Sequence, residues 1–454
     1  MSNPCQFIRR TAVVLTACGL IASVLPGVAA EPAGPAWSRG LPIYQISPRF
    51  YAKDGSLASI KADLPRIKAM NVGIIYMMPI HPCTDDPDLN AQRKCNYFQS
   101  ADYMAVNPVL GTMDDWKGFV QAVHDSGMYL ILDYVPRHCS KQNPLVRERP
   151  EWFSGTSWGL PAFDFSRQDV RDYHLSVMEF WVKQTGVDGF RIDVAGTIPR
   201  DVFNDYRPVM DTWKEVFMLA EADGPSHHPQ YDMTYDWRLL ELMVKGLANG
   251  SRPASDLDAL IRDDIANYPE GALRLRHTDN HDFNIGLTQF GKVDASLERR
   301  YHGGHKAFAT LCATLPGKFM FFNGNEINNT KVIPHGGTTG WIDWVENPEY
   351  TAFYTKLCQI HRDNPAIWGG SYRYLNTTRN DHLFVIERKK GDNVVLVVLN
   401  LSASQTVGTI SDVLPEGDFT EAFTNGTEPL SRNVDLPGWG YRVYVKDTPP
   451  RPNR

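Results

Sequence analysis

Four apolar segments of the sequence each end in acidic, basic or imidazole side chains. These side chains are Asp133 and His138 in DYVPRH, Arg191 and Asp193 in GFRID, Glu221 in LAEA, and His281 and Asp282 in HTDNHD. A lone carboxylate after a strand most often caps a helix or forms a surface ion pair. Acids that recur after successive segments, one of them beside an arginine, do not fit that explanation. The set therefore indicates a catalytic site.

Two of these acids have neighbours that predict opposite protonation states. Arg191 lies two residues before Asp193, and a cation within hydrogen-bonding distance lowers the pKa of a carboxyl group, so Asp193 is expected to be ionised. Glu221 lies in the apolar sequence FMLAEA, where desolvation is expected to raise its pKa and keep it protonated near neutral pH. This pairing suits glycoside cleavage with retention, in which one acid protonates the leaving oxygen while the other attacks the anomeric carbon.

A repeated strand and helix pattern would position these side chains. Apolar runs that predict buried strands begin near residues 43, 73, 129, 187, 216, 273 and 318, and a weaker eighth run, YDMTYDW, begins at residue 231. Amphipathic segments such as SLASIKADLPRIKAM and DDWKGFVQAVHDSGM separate them. The alternation predicts a TIM (β/α)8 barrel, with an open doubly wound sheet as the alternative. In such a barrel the active site lies at the carboxyl ends of the strands.

Two departures from this pattern predict the domain boundaries. The barrel is expected to span residues 31–365 and to be interrupted after the third strand by a small loop-rich subdomain at 139–168. From residue 366 to 454 the runs YRYLN, LFVIERK, NVVLVVLNLS and YRVYVK, separated by Gly, Asn and Asp, predict antiparallel strands. The C-terminal region is therefore predicted to be an antiparallel β-sandwich domain.

The first 30 residues are typical of a secretory signal peptide. Arg9 and Arg10 precede an apolar run, and Val28 and Ala30 supply the small side chains that a signal peptidase reads. The enzyme is therefore expected to be secreted or periplasmic, without a membrane segment after cleavage. Two alternatives are a lipid anchor at Cys18, in the sequence LTACG, and retention of the apolar run as a membrane anchor.

The net charge bears on which partners the protein could bind, and the cysteines bear on which disulfides it could form. The 454 residues carry a formal net charge of −6 without a basic stripe, which argues against a nucleic acid partner. Five cysteines follow the predicted signal peptide, and Cys83 and Cys95 bracket a polar segment that a disulfide could close. Cys312 and Cys358 lie in helical patterns and are expected to be buried thiols, and the pairing of Cys139 stays open.

The motifs DYVPRH, GFRIDVAG, LAEA and TDNHD resemble, in this order and spacing, the four signature regions of the α-amylase family of retaining glycoside hydrolases, glycoside hydrolase family 13. The resemblance also includes the stretch SADYMAVNPVLGTMDDWKGFVQAVHDSGMYLILD and the later LPGKFMFFNGNE. It extends over about residues 40 to 447. Four ordered regions are a far more specific signal than any one motif.

The resemblance implies a role for each site residue. Asp193 would be the nucleophile, Glu221 the acid/base, and Asp282 a third carboxylate that binds sugar hydroxyls. The residues implied to line the subsite of the attacked sugar are Arg191, His138, His281 and Phe98. Phe98 stands where many relatives have a stacking tyrosine, and Tyr97 would replace it if the register differed by one.

Two departures from the family pattern bear on metal and substrate. Arg137 stands where relatives commonly have an asparagine that helps to hold calcium, and its positive charge would repel the ion. No metal site and no cofactor are predicted, and bound calcium stays an alternative that Arg137 argues against. The sequence VAGT after Asp193 lacks the lysine and histidine that many long-chain amylases use to hold the next glucose, which favours shorter oligosaccharides.

The resulting prediction is an enzyme that cleaves α-1,4-glucosidic bonds in maltooligosaccharides or related α-glucans through a covalent glycosyl intermediate. An α-glucan transglycosylase is the alternative within the family, because it uses the same carboxylates with a sugar as acceptor. A catalytically inactive binding subunit is the alternative from another class. The complete acid set argues against it, since unused buried carboxylates cost stability. The sequence carries no information on the oligomeric state.

Overall fold

A computed structural model of the chain describes residues 31–285, 295–427 and 429–446, so the predicted signal peptide lies outside the described residues. Eight parallel strands form a closed barrel in the order β1-β10-β9-β8-β7-β6-β3-β2. Their bounds are β1 Ile43–Ile46, β2 Ile74–Met77, β3 Tyr129–Tyr134, β6 Gly189–Ile192, β7 Phe217–Ala220, β8 Met233–Tyr235, β9 Leu273–Arg276 and β10 Lys318–Phe322. The predicted TIM barrel is confirmed, and β8 is the strand that the sequence indicated only weakly.

The barrel strands are buried on both faces, as parallel strands covered by helices must be. Alternate positions point into the barrel, where an apolar core includes Ile43, Ile74, Tyr76, Ile131, Phe217, Leu219, Met233, Leu273, Leu275 and Met320. Ile131 and Asp133 lie two residues apart on β3 and therefore face the same side. The apolar core is thus replaced by charged side chains towards the carboxyl ends of the strands.

Helices pack around the outside of the barrel through their apolar faces. The α-helices are α1 Pro48–Tyr51, α2 Leu57–Ala69, α3 Leu89–Lys94, α4 Met113–Asp125, α5 Leu145–Glu148, α6 Gln168–Thr185, α7 Arg200–Met210, α8 Trp237–Glu241, α9 Asp256–Asn267, α10 His281–Asn284, α11 Leu297–Arg300, α12 His305–Thr314, α13 Pro348–Asp363 and α14 Pro365–Gly369. Helix α4 buries Trp116, Phe119, Val120 and Val123 at helical spacing. A capping box between Thr112 and Asp115 fixes where this helix begins.

A small insertion follows β3, in the region where the sequence predicted a subdomain. Strands β4 Phe153–Ser157 and β5 Leu160–Phe163 form a two-stranded antiparallel sheet within it. A β-bridge between His138 and Ala162 joins this hairpin to the end of β3. The insertion therefore lies at the carboxyl end of the barrel.

The C-terminal region consists of antiparallel sheets, as predicted. A five-stranded sheet has the order β11-β12-β13-β17-β15, and β14 pairs with β16. The bounds are β11 Ser371–Tyr374, β12 Leu383–Lys390, β13 Asn393–Asn400, β14 Thr406–Thr409, β15 Phe419–Glu421, β16 Asn433–Leu436 and β17 Tyr441–Lys446. Phe384, Ile386 and Val397 on one face of the larger sheet join the core of the barrel helices. Val385 and Leu396 on the other face pack with the smaller sheet.

The cysteines follow the predicted pattern. Cys83 and Cys95 form a disulfide with their Cα atoms 5.8 Å apart, and this bond closes the segment that carries α3. Cys139, Cys312 and Cys358 are buried free thiols. No helix among the described residues is long and apolar enough to cross a membrane.

Gly189 is the first residue of β6, and its replacement tests how closely β6 and β7 must approach to pair. A Cβ atom at this position would lie 2.0 Å from the carbonyl oxygen of Phe217 on β7, so the two strands could not pair with a larger residue there. We expect Gly189→Ala to lower the free energy of unfolding by more than about 3 kcal/mol. Urea unfolding followed by circular dichroism measures this effect.

The matched control is Gly118→Ala in α4. Its Cβ atom would meet one lysine amine at 3.6 Å, and alanine in a helix interior should stabilise the protein by roughly 0.5 to 1 kcal/mol. A Gly189→Ala protein that unfolds at the urea concentration of the unmodified protein would contradict this account of the β6–β7 pairing.

Candidate active site

The acids that the sequence singled out lie together at the carboxyl end of the barrel. Asp133 lies on β3, Asp193 directly follows β6, Glu221 directly follows β7, and Asp282 lies in α10 after β9. Strands β3, β6 and β7 are neighbours in the barrel, and β8 separates β7 from β9. Parallel strands end at the same edge, so their terminal side chains share one mouth.

The side chain of Arg191 is completely buried and contacts three of these carboxyl groups. Its Nη1 donates to Oδ1 of Asp193 at 2.7 Å and to Oδ1 of Asp133 at 2.9 Å. Its Nη2 lies 2.9 Å from Oε1 of Glu221. A single guanidinium group therefore holds the carboxyl groups that end three adjacent strands.

The exposed fractions of these side chains separate two kinds of acid. Asp133 is 0% exposed and also accepts a hydrogen bond from the hydroxyl group of Tyr76 at 2.5 Å. Asp193, Glu221 and Asp282 keep 10%, 16% and 28% of their side-chain surface exposed. These three can contact a bound molecule, whereas Asp133 serves to hold Arg191.

The pKa values of the acids correct one expectation. Burial raises the pKa of Asp193 to about 6 in spite of the opposing charge of Arg191, so the expected lowering was wrong in sign. The physical reason is that Arg191 divides its single charge among three carboxyl groups, while each of them loses its hydration. The expected rise is confirmed for Glu221, whose pKa burial raises to about 7. Burial and the nearby charge of Glu221 raise the pKa of Asp282 to about 7.

A strained residue orients Glu221. Val194 adopts a left-handed conformation with φ of 42° and ψ of 40°, which is unusual for a β-branched residue. In this conformation its backbone N–H donates a hydrogen bond of 2.6 Å to Oε2 of Glu221. Glu221 is thus held by Arg191 on one oxygen and by the backbone on the other. The sequence did not single out Val194, because a valine gives no indication that the backbone is left-handed at its position.

Of the two aromatic residues that the family resemblance pointed to, Phe98 rather than Tyr97 has a ring face available beside His281. Phe98 is half-buried and stacks on the ring of His281, with 5.3 Å between the ring centroids. Tyr97 is buried, and its hydroxyl group lies 3.8 Å from the sulfur of Met78. The aromatic face available beside His281 is therefore that of Phe98.

Both histidines of the expected set, His138 and His281, are buried. The ring of His138 lies edge-on to that of the exposed Trp158 in the insertion, with 5.6 Å between the centroids. Burial lowers the pKa of His138 to about 4 and that of His281 well below its usual range. Nδ1 of His281 lies 2.9 Å from Nε2 of Gln45 on β1. Both histidines are therefore neutral hydrogen-bonding groups.

His335 is a site residue that the sequence did not reveal. It lies in the loop between β10 and α13, and its Nε2 is 3.7 Å from Oδ1 of Asp282. Its ring meets Phe98 edge-on at 5.0 Å. A single histidine in a polar loop, far in sequence from any strand end, carries no signal that could have identified it.

Arg137 lies beside the insertion rather than among the acids. Its Nη1 donates to the carbonyl oxygen of Phe163 on β5 at 3.4 Å. One group of described residues has the composition of a metal site. His281, Asp282 and His335 each place a ligand atom within 4.8 Å of the other two.

Comparison with known proteins identifies the family. The model of the α-amylase catalytic domain matches residues 45–157 and 148–372. A cyclomaltodextrinase from Bacillus sp. is 20% identical over 430 residues, which cover 81% of this chain and 73% of that protein.

Two solved structures share the fold. The maltogenic α-amylase AmyB from Thermotoga neapolitana has a TM-score of 0.78 at 23% identity and covers 90% of this chain and 98% of its own. The α-amylase from Geobacillus thermoleovorans, solved with acarbose, has a TM-score of 0.78 at 19% identity, with coverage of 92% and 100%. With its catalytic-domain match, its closed barrel and the acids at the barrel mouth, the chain belongs to the α-amylase family of glycoside hydrolases.

Proposed function

We propose that the protein hydrolyses α-1,4-glucosidic bonds in maltooligosaccharides or related α-glucans with retention of anomeric configuration. The observation that carries this proposal is the contact of Asp193 and Glu221 with one buried guanidinium, that of Arg191. Both acids keep part of their surface open to the barrel mouth. Retaining cleavage needs two such carboxyl groups on either side of the glycosidic bond.

Asp193 is the nucleophile in this mechanism, and Glu221 is the general acid and base. A carboxylate oxygen of Asp193 bonds to the anomeric carbon as the bond to the leaving oxygen breaks, and that oxygen takes the proton of Glu221. Glu221 then removes a proton from water, whose oxygen bonds to the anomeric carbon and frees Asp193. The contacts of Glu221 with Arg191 and the Val194 N–H hold it in position for both steps.

The remaining side chains bind the sugar that is attacked. Asp282 carries exposed carboxylate surface for sugar hydroxyl groups, and His281 lies beside it. His281 and His138 are both neutral imidazoles. The half-buried ring of Phe98 offers an apolar face of the kind on which sugar rings stack. Stacking needs only an aromatic face, so phenylalanine can serve where relatives have tyrosine.

The substrate class is supported by the relatives. The Bacillus protein is named for cyclomaltodextrins, the Thermotoga protein is a maltogenic α-amylase, and the Geobacillus enzyme was solved with acarbose. The sequence VAGT after Asp193 favours short glucans over long starch chains. A transglycosylase would use the same residues with a sugar as acceptor, and product analysis with maltooligosaccharides distinguishes the two.

Replacing each acid in turn tests the assigned roles. We expect Asp193→Ala to reduce turnover of maltooligosaccharides by at least about 10³-fold, since the covalent step is lost. With α-maltosyl fluoride and azide, Asp193→Ala should give the β-azide by direct displacement. Glu221→Ala should give the α-azide from the intermediate, because azide needs no general base. The anomeric configuration of each product is measured by NMR.

The control is Asp392→Asn, which alters an exposed acid in the turn between β12 and β13 and should retain full activity. An α-azide from the Asp193→Ala protein, or ordinary turnover by it, would assign the nucleophile to another residue.

The pKa values predict a bell-shaped dependence of kcat/KM on pH. Asp193 must be ionised, so activity should fall as the pH drops through about 6. Glu221 must be protonated in the first step, so activity should fall as the pH rises through about 7. Fluoride leaves without a proton donor, so the burst of fluoride from α-maltosyl fluoride with Glu221→Gln should lose the alkaline decline and keep the acid one. An unchanged alkaline decline in that variant would remove Glu221 as its source.

We further propose that the protein is exported, with residues 1–30 removed. The Cys83–Cys95 disulfide supports this proposal, because such bonds persist in oxidising compartments. Fractionation of the native host and sequencing of the mature amino terminus should find Glu31 as the first residue. A mature chain that starts at Cys18 would indicate the lipid anchor instead, and an unprocessed cytoplasmic chain would contradict export.

A further inference from the structure

Two histidines and one aspartate lie around a single point of the active site. Nε2 of His281 is 3.4 Å from Oδ2 of Asp282, and Nε2 of His335 is 3.7 Å from Oδ1 of the same group. A tetrahedral ion with bonds of about 2.0 to 2.1 Å separates adjacent ligand atoms by about 3.3 Å. The three ligand atoms lie within 4.8 Å of one another, so side-chain movements of at most about 1.5 Å bring them to that spacing.

His335 has a nitrogen that nothing in the described part of the chain satisfies. Its Nε2 is buried and has no hydrogen-bond partner. A buried polar atom without a partner costs free energy, and native structures leave few of them. Burial also favours the neutral imidazole, which is the form that binds metals.

Gln45 can orient His281 for coordination. The amide of Gln45 lies 2.9 Å from Nδ1 of His281, and its Oε1 is buried without a partner. A Gln45 amide turned by 180° would let Oε1 accept a hydrogen bond from Nδ1–H of His281. That arrangement frees the lone pair on Nε2, and a backing carbonyl of this kind is usual for histidines that bind metals.

The local charge also favours a dication. Asp282 shares the barrel mouth with the three carboxyl groups that contact Arg191. The mouth thus holds four carboxyl groups and one guanidinium, and carboxylates that lie this close together repel one another. A bound divalent ion would reduce this repulsion.

We infer that His281, Asp282 and His335 form a binding site for a borderline divalent transition metal such as Zn²⁺, with one coordination position open. Two imidazole nitrogens and one carboxylate suit Zn²⁺, whereas Ca²⁺ takes 6 to 8 oxygen ligands. Because Asp282 and His281 also face the sugar in the proposed function, the bound ion would compete with substrate. This inhibitory consequence rests on the proposed function, but the binding itself does not.

Titration calorimetry with Zn²⁺ on the chelator-treated full chain tests the site. We expect one ion per chain, at least tenfold weaker binding by His335→Gln, and no binding of Ca²⁺ at the same position. The control is His302→Asn, an exposed histidine with φ of 51° that asparagine can replace without new strain. Wild-type affinity in His335→Gln, or an equal loss in His302→Asn, would overturn the proposal.

X-ray absorption at the zinc edge gives a second measurement that does not depend on folding of a variant. The wild-type spectrum should show nitrogen and oxygen neighbours at about 2.0 to 2.2 Å with the outer-shell signal of two imidazoles. A sulfur neighbour, or fewer than two imidazoles, would overturn the site.

In an active preparation, Zn²⁺ should raise KM for maltooligosaccharides and leave kcat unchanged. Zn²⁺ bound at this site without an effect on KM would contradict competition with substrate. A preparation that binds one Zn²⁺ but hydrolyses no glucan would instead count against the proposed function and leave the metal site standing.

Discussion

The guanidinium group of Arg191 lies in the barrel interior without access to water, and three carboxyl groups surround it. A buried charge without partners would cost several kcal/mol, so the acids are required for the arginine to be there at all. The acids also depend on the arginine, since without Arg191 the carboxylates of Asp133 and Asp193 would be buried anions without a counter-charge. The barrel therefore brings together groups that none of its strands could bury alone.

This constraint explains why the adjacent strands need close and regular pairing. Gly189 allows β6 to approach β7, which sets Arg191 opposite Leu219 and brings the following Glu221 within reach. The hydroxyl group of Tyr76 completes the environment of Asp133 from β2. Small shifts of these strands would separate charges that have no other partners.

Much of this organisation could be predicted from the sequence, because a strand and the acid that follows it are both visible within a short stretch of residues. Apolar runs identified seven barrel strands, and acids marked the ends of four of them. The eighth strand, Met233–Tyr235, is only three residues long, so its apolar pattern was weak. The sign of the Asp193 pKa shift was mispredicted because sequence spacing showed the nearby Arg191 but neither the burial of Asp193 nor the two other acids that share Arg191. His335 could not be found, since its place depends on how a long loop folds back over the mouth.

The left-handed conformation of Val194 has a consequence for thermal inactivation. Holding a β-branched residue there costs of the order of 1 to 3 kcal/mol, and the surrounding packing must supply it. If heating loosened that turn, Val194 would relax to an extended conformation and withdraw its N–H from Glu221, to which it donates in the folded protein. The residue proposed as the proton donor would then lose its position while the barrel is still folded, so loss of turnover would precede global melting.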